Sequence, residues 1–415
     1  MLLRLLKKYM PSSYWKVLPN LWSCGIANLG SGINVALLTL AAHQFGWASW
    51  QFGVLLASGG LLRIILHTQL PSLLAKYGNP PRWFMQLGLA FTILPLAIWP
   101  SSYALWWVLS NLRGLFTAVS YFNLNTQTLA AAEPHERARV LALYQMTGAL
   151  WLSMGMTSVI WLGMNWYSFV LIALLSCGAG WILPDRQSER VESATPGIQG
   201  LMNALKQGRV VWGFSILAGI TCGSISKYLG LYALGRGFSH DQAMLVMSIF
   251  VIGGSLAQYP LSALLDLRSK REVTLALLGI AVVVVTMMHL TGDHFVLMAS
   301  MVALFGAIGY VLTPAVQSIL GDRFSGHDRL YAMAAHALLF NLGDILGAMI
   351  LGLSFDRFGP VALVYTFLGA TSLLFILAFK PKIKTLLDQT EFAMWGLNIP
   401  LLLKIKPKPK QAPKE

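Results

Sequence analysis

About a dozen apolar runs, each long enough to cross a lipid bilayer, divide this 415-residue chain at near-regular intervals. A bilayer's hydrocarbon core takes roughly 20 residues of helix. The runs fall at about 18–42, 51–74, 82–100, 103–130, 139–164, 166–183, 210–234, 240–265, 272–290, 295–320, 330–353 and 360–379. Assign the gaps alternately to two faces, and 25 of the 30 Lys and Arg residues gather on one. Only Arg236 and Arg357 fall on the other, and Arg63, Arg113 and Lys227 lie inside runs. That asymmetry is the positive-inside signature of a multi-pass membrane protein with both termini in the cytoplasm, here expected in a bacterial inner membrane. Composition agrees: 11% of residues are charged, against about a quarter in a soluble domain, and the mean hydropathy is +0.63. The net charge of +14 is therefore a topology signal with a basic tail near anionic lipid, and no nucleic-acid partner is expected.

The gaps also divide the chain into units. Residues 1–17 read as a cytoplasmic lead-in, lacking the apolar core and cleavage site of a signal peptide. Residues 18–183 and 210–379 form two six-helix halves. The polar stretch 184–209, with Asp185, Arg186, Glu189, Arg190, Glu192 and Pro196, reads as a cytoplasmic linker. Residues 380–415 form a basic, Pro-rich tail suited to lipid contact or disorder. The halves echo each other at an offset of about 190 residues, the internal symmetry transporters carry: EPHERARVLALY (133–144) pairs with SGHDRLYAM (325–333), and PSLLAKYGNPPR (71–82) with SALLDLRSKR (262–271). Cys24, Cys177 and Cys222 sit within apolar runs as small packing residues. No cofactor or metal is expected. GAIGY (306–310) lacks the Lys-Ser/Thr of a phosphate loop, and His289, Asp293 and His294 have no fourth ligand nearby.

These features resemble the major facilitator superfamily over essentially the whole chain to about residue 380. The superfamily's best-known mark, G-x-x-x-D-R/K-x-G-R-K after span two, is eroded here. Pro71 and Ala75 stand at its Gly and Asp positions, while Lys76, Gly78 and Arg82 remain. The copy after span eight keeps Asp266, Arg268, Lys270 and Arg271. A further match, GLSFDRFG (352–359), falls on the opposite face, where Asp356 and Arg357 are expected to cap the helix end. The segments GRGFSHDQAMLVMSIFVIGGSLAQYPLSALLD and ERARVLALYQM are similar to the YcaD-like group. The resemblance implies an all-α membrane protein of twelve transmembrane helices in two pseudo-symmetric six-helix bundles. It also implies a monomer that moves a small molecule by alternating access and is not an enzyme. A cytoplasmic gate would comprise Asp266, Arg268, Lys270, Arg271, Lys76 and Arg82.

Function turns on the charges inside the membrane. An ionised side chain at mid-bilayer costs at least about 2.5–3.5 kcal/mol, so such groups face a cavity or a partner. Arg63 in span two, Arg113 in span four, Lys227 in span seven and Asp344 in span eleven all fall on spans that line the cavity in the superfamily. Three cations against one acid favour an anionic or zwitterionic organic substrate, gripped by Arg63 and Arg113 with help from Lys227. Arg113 or Arg63 could instead bond neighbouring backbone carbonyls or pair with Asp344, and Lys227 could snorkel outward. Asn111, Tyr121, Asn125 and Asn341 are placed to orient substrate or tie helices together. Asp344 is the proton-coupling candidate, with His336 eight residues earlier on the same face and His67 one turn beyond Arg63. The superfamily's span-four motif places its Arg where Ser110 stands, so that motif's role does not carry over to Arg113. The expected function is secondary active transport of a small organic molecule, in the export direction. The alternatives are efflux without anion preference, a non-transporting sensor or scaffold, and a membrane-embedded lipid enzyme.

Overall fold

A computed structural model describes residues 14–77, 82–131, 137–181, 197–207, 209–267, 270–291, 294–324 and 326–379. They form helices α1 (Tyr14–Gln44), α2 (Ser49–Tyr77), α3 (Arg82–Phe91), α4 (Tyr103–Ala131), α5 (Arg137–Leu162), α6 (Trp166–Trp181) and α7 (Gly197–Gln207). The second half holds α8 (Arg209–Ala218), α9 (Ser226–Gly235), α10 (His240–Leu267), α11 (Lys270–Leu290), α12 (Phe295–Arg323), α13 (Gly326–Phe358) and α14 (Val361–Phe379). No β-strand occurs among the described residues. Six stretches in α1, α8–α9, α10, α11, α12 and α13 are individually long and apolar enough to cross a bilayer, and apolar helices in spans three, six and twelve are shorter. Spans two, four and five are helices of 29, 29 and 26 residues, about 40 Å each at 1.5 Å per residue. The protein is an integral, multi-pass membrane protein.

Its outer surface shows why. Phe91, Leu174, Val296, Leu353 and Ile376 are each more than half exposed, which a soluble fold would not tolerate in such number but lipid requires. Trp99, Trp161 and Trp166 ring one end of the helices, and Trp83 and Trp181 the other, all exposed. Two Trp belts mark two membrane–water boundaries. The end with the loops around 45–48, 163–165 and 236–239 is called the sparse face below, and the opposite end the basic face.

Three elements differ from the expected ones. Span three is not one helix over 82–100: α3 stops at Phe91, and a 3₁₀ turn, Leu94–Ala97, follows. Pro95 has no N–H to offer the carbonyl of Phe91, four residues earlier, and the α-helical ladder ends there, whereas α10 and α12 run through Pro260 and Pro314. The stretch expected to be linker contains α7, which buries Ala204 and packs Leu201 and Leu205 beside Trp212 and Ala332, leaving Asn203 and Lys206 exposed. Span seven is three pieces, α8, a π-helical stretch Gly219–Ile225, and α9. π-Bulges insert a residue into the ladder, and they gather at functional positions.

The halves meet along two seams that the internal symmetry relates. At one, α5 packs on α10: Thr157 Oγ1 donates to Ser248 Oγ (2.8 Å) and Gln258 Nε2 to Gln145 Oε1 (2.9 Å). At the other, α2 packs on α13, with Ala57, Ile345 and Ala348 buried together. Small residues permit these approaches. Gly60 of α2 faces the Ile345 side chain of α13, and inside the second half Gly253 of α10 faces the backbone of Ala303 in α12.

Candidate functional site

Three of the four deep charges converge on the α2–α13 seam. Asp344 sits mid-helix in α13 and is only 5% exposed. Lys227 Nζ donates to both of its carboxylate oxygens, at 2.8 and 2.9 Å. Arg63 approaches from the other half, its Nη2 3.9 Å from Asp344 Oδ2, while its Nε donates to Gly59 O (3.1 Å). Ser224 Oγ donates to the backbone carbonyl of Asp344 and lies 3.3 Å from Oδ1. Lys227 therefore does not snorkel outward. Its side chain reaches inward, because a buried carboxylate without a cation would cost more than turning the lysine from water.

The π stretch makes this arrangement possible. Gly223 lies directly under the carboxylate: a Cβ there would stand 2.6 Å from Asp344 Cγ and Oδ1. Gly219 and Gly343 bring the two backbones together where any larger residue would meet Phe340 O or Ile216 O. Span seven and α13 are thus held close enough for Ser224 and Lys227, three residues apart, to reach the same acid. The cluster is not sealed. The Arg63 side chain keeps 28% of its exposure and Lys227 20%, against 7% for Asp344. It carries one positive charge in excess and spans both halves.

Arg113 is elsewhere. It lines a cleft inside the first half, among Ser31 of α1, Gln86 of α3, Thr117, Ser120 and Tyr121 of α4, and Ser176 of α6. The cleft has about 10 Å³ of free room, enough for a single water. Arg113 Nη1 and Gln86 Oε1 are both buried there without hydrogen-bond partners among the described residues. The expected paired grip by Arg63 and Arg113 is not what the structure builds: helical phase turns Arg113 away from α2, towards which Asn111 points.

The remaining polar candidates tie helices. Asn111 Nδ2 donates to Ser58 Oγ (3.0 Å) and Trp107 O (2.7 Å), joining α4 to α2. Tyr121 donates to Asn28 Oδ1 at 2.7 Å, joining α4 to α1. Asn341 donates to Ala337 O within its own helix. His336 is buried, with Nδ1 3.0 Å from Ser215 Oγ; it packs against α8, two turns from Asp344 and towards the basic face. Tyr121→Phe should lower thermal stability by about 1 kcal/mol, the usual worth of one neutral hydrogen bond. A melting curve in detergent checks it; a larger loss would mean that Tyr121 also supports Arg113. The side chains of His67, Asn125, Lys76, Arg82, Asp266, Lys270 and Arg271, and all of Arg268, lie outside the described residues.

One contact escaped sequence reasoning. Asp356 caps not its own helix end but the start of α2 in the other half, taking N–H bonds from Ser49 (2.8 Å) and Trp50 (3.1 Å). The sequence signal was the GLSFDRFG pattern; nothing in it tells which helix start the Asp would reach.

A twelve-span bundle of two related halves, with a charge cluster in the seam between them, has the build of a secondary transporter. A family model described as Major Facilitator Superfamily matches residues 21–309 and again 211–399, and the chain belongs to that superfamily. A relative from Salmonella paratyphi B, the uncharacterized MFS-type transporter YcaD, is 22% identical over 368 residues, covering 85% of this chain and 93% of that protein. Among solved structures, the nucleoside transporter NupG superposes with a TM-score of 0.70 at 15% identity, covering 89% of this chain and 98% of NupG. A bacterial homolog of the human lysosomal transporter Spinster, in an inward-facing and unoccupied conformation, gives 0.67 at 14%, covering 92% and 98%. At these identities the structures show the shared fold.

Proposed function

We infer that the protein carries a small organic acid or zwitterion across the membrane, with Arg63 and Lys227 as its anion donors and Asp344 as the exchanging acid. The observation behind this reading is the Lys227–Asp344–Arg63 cluster, drawn from both halves and partly open. While Asp344 is ionised it occupies Lys227. A proton on Asp344 cancels that attraction and leaves two cations for a substrate carboxylate, so proton and anion load together. Export then runs downhill only when the acid is concentrated inside, as for an overflow route. By the positive-inside bias the basic face is cytoplasmic. On this reading the halves run over 18–183 and 210–379, and the cytoplasmic gate falls to Asp266, Arg268, Lys270, Arg271, Lys76 and Arg82.

Proteoliposomes offered radiolabelled lactate, malate, a neutral amide and an alkyl amine test this reading. The acids should move, and Arg63→Gln should slow them roughly tenfold to a hundredfold, the worth of one charged hydrogen bond. An amine transported equally well by both proteins would sink the anion assignment. It would favour the second reading, efflux without anion preference. One observation supports that second reading: Asp344 already cancels one cation, and Arg113 faces into its own half.

A further inference from the structure

At the sparse face two side chains of the second half, Asp356 and Tyr228, bond the start of α2 in the first half. Asp356, in the last turn of α13, takes two hydrogen bonds from the first two residues of α2, Ser49 and Trp50. Those N–H groups have no partner within their own helix, and the helix dipole gives that end a partial positive charge. A carboxylate of the second half therefore caps a helix of the first. The surroundings fit the contact closely. A Cβ on Gly352 would stand 2.9 Å from Ser49 O and 3.1 Å from Trp50 Cα, so only glycine lets α13 approach. Tyr228 of α9 donates to Ser49 O and Ala348 O, both at 3.2 Å, pinning span seven to the same junction. Gly359, at φ +65°, ends α13 just beyond the cap, its N–H bonded to Phe355 O (2.8 Å).

Gly352, Asp356 and Gly359 are three fixed positions of G-x-x-x-D-R-x-G, the pattern that is eroded after span two at the opposite face. We propose that Asp356 is a latch that holds the sparse face shut, and that each transport cycle breaks it when that face opens. The α2–α13 seam crosses the halves, so these helix ends cannot part while both bonds persist. The strength suits a reversible device: losing a helix cap shifts an equilibrium by about fivefold to tenfold, small enough to be overcome by substrate or proton binding. With Pro71 and Ala75 replacing the corresponding Gly and Asp at the basic face, the latch also tilts the resting protein towards a closed sparse face.

Spin labels at Ser101→Cys and His294→Cys, exposed sparse-face positions on opposite halves, report this opening by double electron–electron resonance. The full chain in lipid nanodiscs, with Cys24, Cys177 and Cys222 replaced, is the sample. Asp356→Ala should raise the ratio of the long-distance population to the short-distance population about fivefold to tenfold. Asp356→Asn, which keeps one acceptor, should fall between it and the unsubstituted protein. An Asp356→Ala distribution unchanged from the parent would overturn the latch, whatever the melting temperature does, because a purely structural cap lowers stability without moving the halves. If the Ala variant fails to fold, the Asn variant decides alone: a rise in the longer population supports the latch and no rise overturns it.

Discussion

Lys227→Met should abolish transport and destabilise the fold by about 3–5 kcal/mol, the usual cost of removing one partner from a buried ion pair. Asp344 is 5% exposed and takes both of its close charged bonds from Lys227. Arg63, at 3.9 Å, cannot replace two bonds below 3 Å. Changing both partners together, Lys227→Met with Asp344→Asn, removes the stranded charge and should restore most of the lost stability while leaving transport absent. Melting in detergent and acid uptake into proteoliposomes separate the two effects. Equal stability of single and double variants would mean that water reaches Asp344 freely and that the pair is not buried.

Gly223→Ala should stop transport at a smaller cost in stability, about 1–3 kcal/mol for overpacking. The added methyl would lie 2.6 Å from Asp344 Cγ, 2.6 Å from Oδ1 and 2.7 Å from Cβ, and these are not flexible chain ends that can swing aside. Asp344 must shift, and the contacts to Ser224 and Lys227 shift with it. Gly279 of α11, with open space around it, is the control: Gly279→Ala should leave both uptake and melting nearly unchanged. Normal transport by Gly223→Ala would show that the carboxylate position is not critical.

Much of the architecture was legible because membrane topology is written in bulk properties. Charge asymmetry between loops and run lengths near 20 residues each sum over many positions, so the twelve-span, two-half plan emerges without side-chain detail. The failures are local and geometric. Pro95 ends the α-helical part of span three, yet a proline within a membrane run does not announce whether the helix kinks or stops. The π stretch at Gly219–Ile225 lies where Gly219 and Gly343 fit between two backbones and Gly223 fits under the Asp344 side chain, a long-range match that periodicity does not carry. Placing Arg113 required the phase of α4 relative to its neighbours; the residue type gave depth and charge but not direction. Lys227 and Asp356 were each recognised as charges needing a partner. Their partners lie 117 and more than 300 residues away, in helices whose proximity only the folded halves define.

The most direct measurement is a cryo-electron microscopy map of the protein with a transported acid bound. If loading proceeds as inferred, ligand density will sit at the α2–α13 seam, its carboxylate within hydrogen-bond distance of Arg63 and Lys227, and Asp344 drawn away from Lys227. Density bound elsewhere, with the Lys227–Asp344 pair still closed at 2.8 Å, would contradict it.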